Sequence, residues 1–359
     1  MLMAFGAVFC VAWAVARGEV PFSFHILYYP LAVYGLISFI STVAAPSRVH
    51  AGFEGVLVFK MLIFPAAIIL FREVPRLREL VLYPYALLAG GSSIWALIQF
   101  IFFDRRSLEN RISGPASHVM TFSGILLPLA LMFLVLWWRE RKPLWLIVTL
   151  LSNVTLLLTF TRSAWLGWLA AVLALLMLTR TQVRYYALPA LLLFITFLPL
   201  DLFGRLISTF DMKQSSNFDR IRMLEAGVEM IRDHPLLGVG PANVKEAYAI
   251  YRKQDAPRPR PPHLHNNIVQ LWAERGILGL AAYIAFLALF LRQCAQAWRT
   301  HRMWAEIGIA VAVSLTVAGL FEFNFGDTEV FYLMLNLFAL VAVSTETNEP
   351  AGELVPAVA

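Results

Sequence analysis

Apolar residues recur in long runs broken by short polar turns, over roughly 2–16, 24–45, 53–71, 80–103, 119–138, 143–160, 164–179, 186–203, 268–291, 303–321 and 329–345. About 18 consecutive apolar residues suffice to cross a hydrocarbon core about 30 Å thick. The pattern therefore predicts an all-α polytopic membrane protein with about eleven transmembrane helices. The alternation that marks a membrane barrel is absent. The first run is read as a short span rather than a cleavable signal peptide.

One polar interruption is much longer than the others. It divides the chain into 1–203, a first set of transmembrane helices; 204–264, a loop; 265–345, the last transmembrane helices; and 346–359, a tail. The loop is itself predicted to be helical. In SNFDRIRMLEAGVEMIRDHP, Phe218, Ile221, Leu224, Val228 and Ile231 recur at helical spacing and form the expected apolar face. Pro235 ends that helix. A second short helix is expected near Val244–Tyr251, giving a helical cap over one membrane face.

Composition sharpens the class. Hydrophobic residues make up 59% and charged residues 14%, against about 25% charged in soluble domains, so the excess must face lipid. Cys10 and Cys294 offer neither a disulfide framework nor zinc spacing. The net charge of +6 reflects orientation first, and no nucleic-acid partner is expected. Arg72, Arg76 and Arg78, then Arg139, Arg141 and Lys142, then Arg180 and Arg184, then Arg292, Arg299 and Arg302 fall in alternate turns, which fixes their side as cytoplasmic. The tail, with Glu346, Glu349 and Glu353, shares that side. The long loop, the turn at Arg162 and the stretch 322–328 lie opposite. Arg105, Arg106 and Arg111 also lie opposite, against the usual bias, which points to an anionic ligand there.

Candidate chemistry collects on that second side. His265 stands where the Pro-rich stretch PRPRPPHLHNN meets an apolar helix, and Asn266 and Asn267 fit a helix start. The positive end of a helix favours an uncharged, base-competent imidazole and attracts phosphate oxygens. His263-x-His265 also permits a metal reading, although no nearby carboxylate obviously completes one. Arg162 sits between two apolar runs with almost no loop, so it either snorkels or grips a ligand through its planar fork. Arg111 and Arg220 fall on the same side, and Arg222 is the poorer candidate. Glu274 is read as an ion pair with Arg275 before a relay. Gly276 and Gly279 read as a close helix contact. Glu322, Asn324, Asp327 and Glu329 form either a polar turn or acidic walls of a site.

These residues carry a resemblance. His265-Asn266, nine residues, then Gly276-x-x-Gly279 is similar to the histidine motif of the O-antigen ligase family. DRIRMLEAGVEMIRDHPLLGVGPANV and TFTRSAWLG resemble two further segments of that family, with Thr161 in place of its Ser and Leu224 in place of its Trp. The resemblance implies a metal-independent, inverting, GT-C-type glycosyltransferase without cofactors, usually of twelve spans, so that 11–12 transmembrane helices are expected. Such an enzyme moves glycan from undecaprenyl pyrophosphate to lipid A-core at the periplasmic leaflet of the bacterial inner membrane, in contact with membrane lipids. It implies His265 as the catalytic residue and Arg162, Arg111 and Arg220 as diphosphate ligands. His263, Asn266, Glu274 and Asp327 are the polar groups expected to support them. O-antigen polymerases and protein O-oligosaccharyltransferases share these motifs and stay open as alternatives. A lipid-linked glycan transporter would spread charge along a path through the membrane, whereas this sequence gathers it at one face.

Overall fold

The computed structural model describes residues 12–18, 20–21, 24–45, 57–105, 107, 110–179 and 214–346. Most of the first expected span, all of the one over 186–203, Arg106, Arg180, Arg184 and the tail beyond Glu346 lie outside them. Within them the elements are α1 (Tyr28–Ala44), a 3-10 segment Leu57–Leu62 leading into α2 (Ile63–Glu73), α3 (Leu82–Phe102), α4 (Val119–Glu140), α5 (Pro143–Leu158) and α6 (Arg162–Leu178). They continue as α7 (Ser215–Asp233), α8 (Val244–Tyr251), α9 (Asn267–Gln296), α10 (Arg302–Ala318) and α11 (Thr328–Ser344). The protein is an all-α polytopic membrane protein. Leu77–Phe102, Val119–Glu140 and Asn267–Gln296 are each long and apolar enough to cross a bilayer, and shorter apolar helices fill the places between them.

Ion pairs and hydrogen bonds sort the helix ends. Arg72 at the end of α2 and His25 before α1 both meet Glu346 after α11, at 3.0 and 3.5 Å. Arg139 at the end of α4 and Arg302 at the start of α10 share the buried Glu306, at 2.7 and 3.1 Å. At the opposite end, Lys60 donates to Thr328 (3.1 Å), Thr121 to Asp327 (2.5 Å) and Asn267 to Asn324 (2.6 Å). The arginine-rich turns after α2, α4 and α9 therefore occupy one end, and His265 the other, as the charge alternation predicts. Inside, α4 packs against α5 and α10, and α10 against α6, where Gly167 lets the α10 backbone approach at Ser314.

The cap at the His265 end forms as two helices, α7 and α8, but α7 turns a different face inward. Met223, Ala226, Gly227 and Met230 are buried, together with Asp219. Val228 is 41% exposed, and Phe218, Ile221, Leu224 and Ile231 are only half-buried. Small residues decide this. A Cβ on Gly227 would run into Val269 and Leu264, so the Ala226-Gly227 face is the one that lets α7 close on α9.

The glycine pair also acts differently from the expected helix contact. Gly276 breaks α9, with φ 68° and ψ −175°, a conformation only glycine adopts without strain. The turn 235–240 fits into the break. Pro235 O accepts from Ile277 N at 2.9 Å, while Val239 N and Gly240 N donate to the carbonyls of Ala273 and Glu274 at 2.8 and 3.0 Å. Backbone groups freed by the kink are thus satisfied by the cap. Gly279 faces the side chain of Arg275 on its own helix rather than a second helix.

Candidate active site

The chain before α9 is drawn tight around His265. Leu264 is fully buried, and its N–H donates to Gln270 Oε1 at 2.8 Å. Asn266 caps α9 by accepting from Val269 N (3.0 Å), and its amide donates to Leu320 O (2.9 Å). Between them His265 takes φ 52°, in the left-handed region that costs most non-glycine residues about 1 kcal/mol or more. The cost is met by what the turn achieves. It carries the imidazole to the loop between α10 and α11, where Nδ1 lies 3.0 Å from Glu322 Oε2.

Glu322 is the centre of the cluster. Its other oxygen lies 3.5 Å from His263 Nε2, and Arg220 Nη2 lies 3.9 Å from Oε2. The two imidazoles meet edge to face, with centroids 4.2 Å apart. Burial alone pushes the Glu322 carboxyl up. The hydrogen bond from His265 and the positive charge of Arg220 oppose it, and the net shift is downward. His263 is pushed down to about 4, chiefly by burial, so it is neutral near pH 7. An ionised carboxylate only accepts hydrogen bonds. His265 therefore donates through Nδ1. The expectation that no carboxylate stands near the two histidines is overturned. Glu322 supplies one from 57 residues further along, a distance no local spacing rule can bridge.

His263, His265, Glu322, Glu274, Asp327 and Lys60 all line one cavity of about 520 Å³. Glu274 pairs with Arg275, as its neighbour suggests, and also accepts from Gln270 (2.7 Å) and from Ala242 N (3.2 Å). Asp327 caps α11 through the N–H groups of Glu329 and Val330, at 3.2 and 3.3 Å, and ties in α4 through Thr121. Lys60, Gln270 and Arg258 also line the cavity. Sequence reasoning passes over these three because Lys60 and Arg258 lie outside the His265 motif and Gln270 falls among its nine unspecified residues.

The arginines separate. Arg162 does not snorkel: it is buried, and it donates to Gln214 (2.7 Å), Asn217 (2.7 Å) and Ser216 (3.1 Å) in the first turn of α7. It opens α6, at the helix end whose dipole disfavours a cation and draws anions. Arg220 lies one turn beyond Ser216 and Asn217 on α7, so this helix links Arg162 to the Glu322 cluster. Arg111 is half-buried in the α3–α4 loop, and neither it nor Arg162 nor Arg220 lines the cavity, whose cationic side chains are Lys60, Arg258 and Arg275. The Arg111 carbonyl accepts from Arg105, which also donates to Ser113, at 3.4 and 3.1 Å. Arg222 pairs with Glu225 and Asp255 on the surface of the cap.

The structure thus sets a histidine–carboxylate pair, with Arg220 beside it, at one end of a helical membrane bundle. Residues 145–284 match the O-antigen ligase family, from α5 through Arg162, α7 and His265 to beyond Gly279. Over that stretch the chain is similar to the O-antigen ligase family, whose members are glycan-handling enzymes of the ligase and polymerase type. No curated protein matches the chain.

Proposed function

We propose that this protein transfers O-antigen glycan from undecaprenyl pyrophosphate to a sugar hydroxyl of lipid A-core, at the periplasmic face of the inner membrane. The observation that carries the reading is the His265–Glu322 pair, 3.0 Å apart and bordering a cavity that also holds cationic side chains. Glu322 fixes the tautomer, and His265 Nε2 takes the proton from the acceptor hydroxyl as its oxygen bonds to the anomeric carbon. The bond from that carbon to the diphosphate oxygen breaks on the opposite face, which inverts the centre. The electron pair leaves with the diphosphate, where Arg220 and Arg162, with Arg111 from the neighbouring loop, meet its charge. No step calls for a metal or an organic cofactor.

Transport fits less well. Among the described residues, the charged side chains of the spanning helices lie near their ends or beside the Gly276 break, not along a path. The deciding experiment is transfer in vitro from a lipid-linked glycan, with lipid A-core, a second lipid-linked glycan or a peptide offered as acceptor. Product on lipid A-core supports ligation. Product only on the second glycan, or only on peptide, replaces it with polymerisation or protein glycosylation.

A further inference from the structure

We propose that His263, His265 and Glu322 also form a three-ligand site for a divalent transition metal, zinc in particular, and that metal bound there switches the transferase off. The three residues come from two separate loops, and their ligand atoms all lie within 4.8 Å of one another. Bonds of about 2.0–2.2 Å in a zinc tetrahedron place neighbouring ligand atoms about 3.3–3.6 Å apart. The two separations, 3.5 Å for His263 and 3.0 Å for His265, run to different oxygens of Glu322, so the carboxylate has only to turn slightly to present one of them to an ion held by both rings. Two imidazoles and a carboxylate are a zinc-type donor set that leaves the fourth position open. All three side chains border the cavity, so an ion can reach them.

Occupancy would block the base through the tautomer, a consequence that rests on His265 being that base. Metal on Nδ1 displaces the proton now shared with Glu322, and the ring keeps that proton on Nε2 instead. No proton is lost overall, but a protonated Nε2 cannot accept another from an acceptor hydroxyl. His263 would bind through Nε2. Its Nδ1 would take the ring proton and give up the 3.3 Å hydrogen bond it accepts from His265 N. Arg220, 3.9 Å from Glu322, opposes a second cation. The site is therefore suited to reversible occupancy rather than to a permanent structural ion.

The purified full-length chain in detergent, titrated with Co²⁺, tests this directly. One equivalent should bind with the visible absorption of a four-coordinate site, and Zn²⁺ should bleach it. His263→Ala and Glu322→Gln should each abolish the signal. His301→Ala, at the other end of the bundle, should keep it. Stoichiometric Zn²⁺ should slow wild-type transfer by about 10²-fold or more, as loss of a general base does, and EDTA should restore it. Absence of stoichiometric binding, or unchanged binding in His263→Ala, overturns the metal site and leaves the role of His265 in transfer standing. Binding without inhibition overturns the switch, and counts against His265 as the base.

Discussion

His265 Nδ1 and Glu322 Oε2 stand 3.0 Å apart although 57 residues separate them in the chain. The contact joins the start of α9 to the turn between α10 and α11. It is made by a histidine in left-handed backbone and a carboxylate that is only 9% exposed. Burying an ionised carboxylate is costly unless it is hydrogen-bonded and paired. His265, His263 and Arg220 supply that compensation, so changing Glu322 should disturb the whole cluster.

Glu322→Gln keeps the shape of the side chain and removes its charge. The amide N–H₂ can then face Nδ1, which moves the ring proton to Nε2 and silences the base. Transfer kcat should fall by about 10²–10⁴-fold, the span typical of lost general-base or orienting groups. The KM for the lipid-linked donor should change far less. Single-turnover assays on folded, membrane-inserted protein separate the two quantities, and an unchanged kcat would reduce Glu322 to a packing residue.

Arg162 presents its guanidinium to three oxygens on the first turn of α7. Lysine keeps the charge but not the planar fork. Arg162→Lys should therefore lose most of the transfer activity, by about tenfold or more on the scale of one charge-assisted hydrogen bond, while inserting normally. Arg222→Lys changes only surface pairs with Glu225 and Asp255, and should behave nearly as wild type. Equal turnover in Arg162→Lys and wild type would leave Arg162 as a clasp between α6 and α7 only.

The end opposite the site offers a test by pH. His25 is buried before α1 and pushed down to about 4, chiefly by burial, with Glu346 opposing and Arg72 adding to the effect. The unfolded chain therefore binds this proton more readily than the folded one. The stability contributed by neutral His25 is full above pH 6.5 and is lost as pH falls towards about 4. Between those values the Tm of detergent-solubilised wild type should fall more steeply than that of His25→Gln. Parallel slopes would show that His25 does not titrate with unfolding.

The Gly276 break shows where sequence reading succeeds and where it stops. Hydropathy placed α3, α4, α9, α10 and α11 within a few residues, because period and run length are local properties. It also set His265, Asn266 and Arg162 at helix starts, because special residues at span boundaries are visible in one dimension. It could not pair His265 with Glu322, which only the α10–α11 return brings together. Nor could it tell a glycine packed against a helix from one that kinks its own helix, since both appear as Gly-x-x-Gly. The structure separates them. Gly276→Ala puts a Cβ into the backbone at Leu236 in a positive-φ conformation, and should cost about 2 kcal/mol or more. Gly279→Ala crowds the Cβ of Arg275 but no backbone atom, and without a positive φ, so it should be milder. Thermal melts of the two variants check the order, and a reversed order would mean the kink does not hold the cap.

His265 and His263 lie two residues apart and share Glu322, yet they should respond very differently to removal. The contact from His265 is the shorter, at 3.0 Å against 3.5 Å. Only His265 combines that contact with a strained backbone whose evident product is the placement of its ring. His263 is held neutral by burial and packs against Phe323, with centroids 5.9 Å apart, the surroundings of a wall residue. His265→Ala should therefore lower transfer by about 10²–10⁴-fold. It should leave binding of the lipid-linked donor nearly unchanged, because the arginines proposed to meet the diphosphate sit on α6, α7 and the α3–α4 loop. His263→Ala should lower transfer by less, through a looser Glu322. Donor binding and turnover measured on both variants at matched protein levels decide the matter. Near-normal turnover in His265→Ala would remove the base from the proposed reaction, and weaker turnover in His263→Ala than in His265→Ala would move that role to His263.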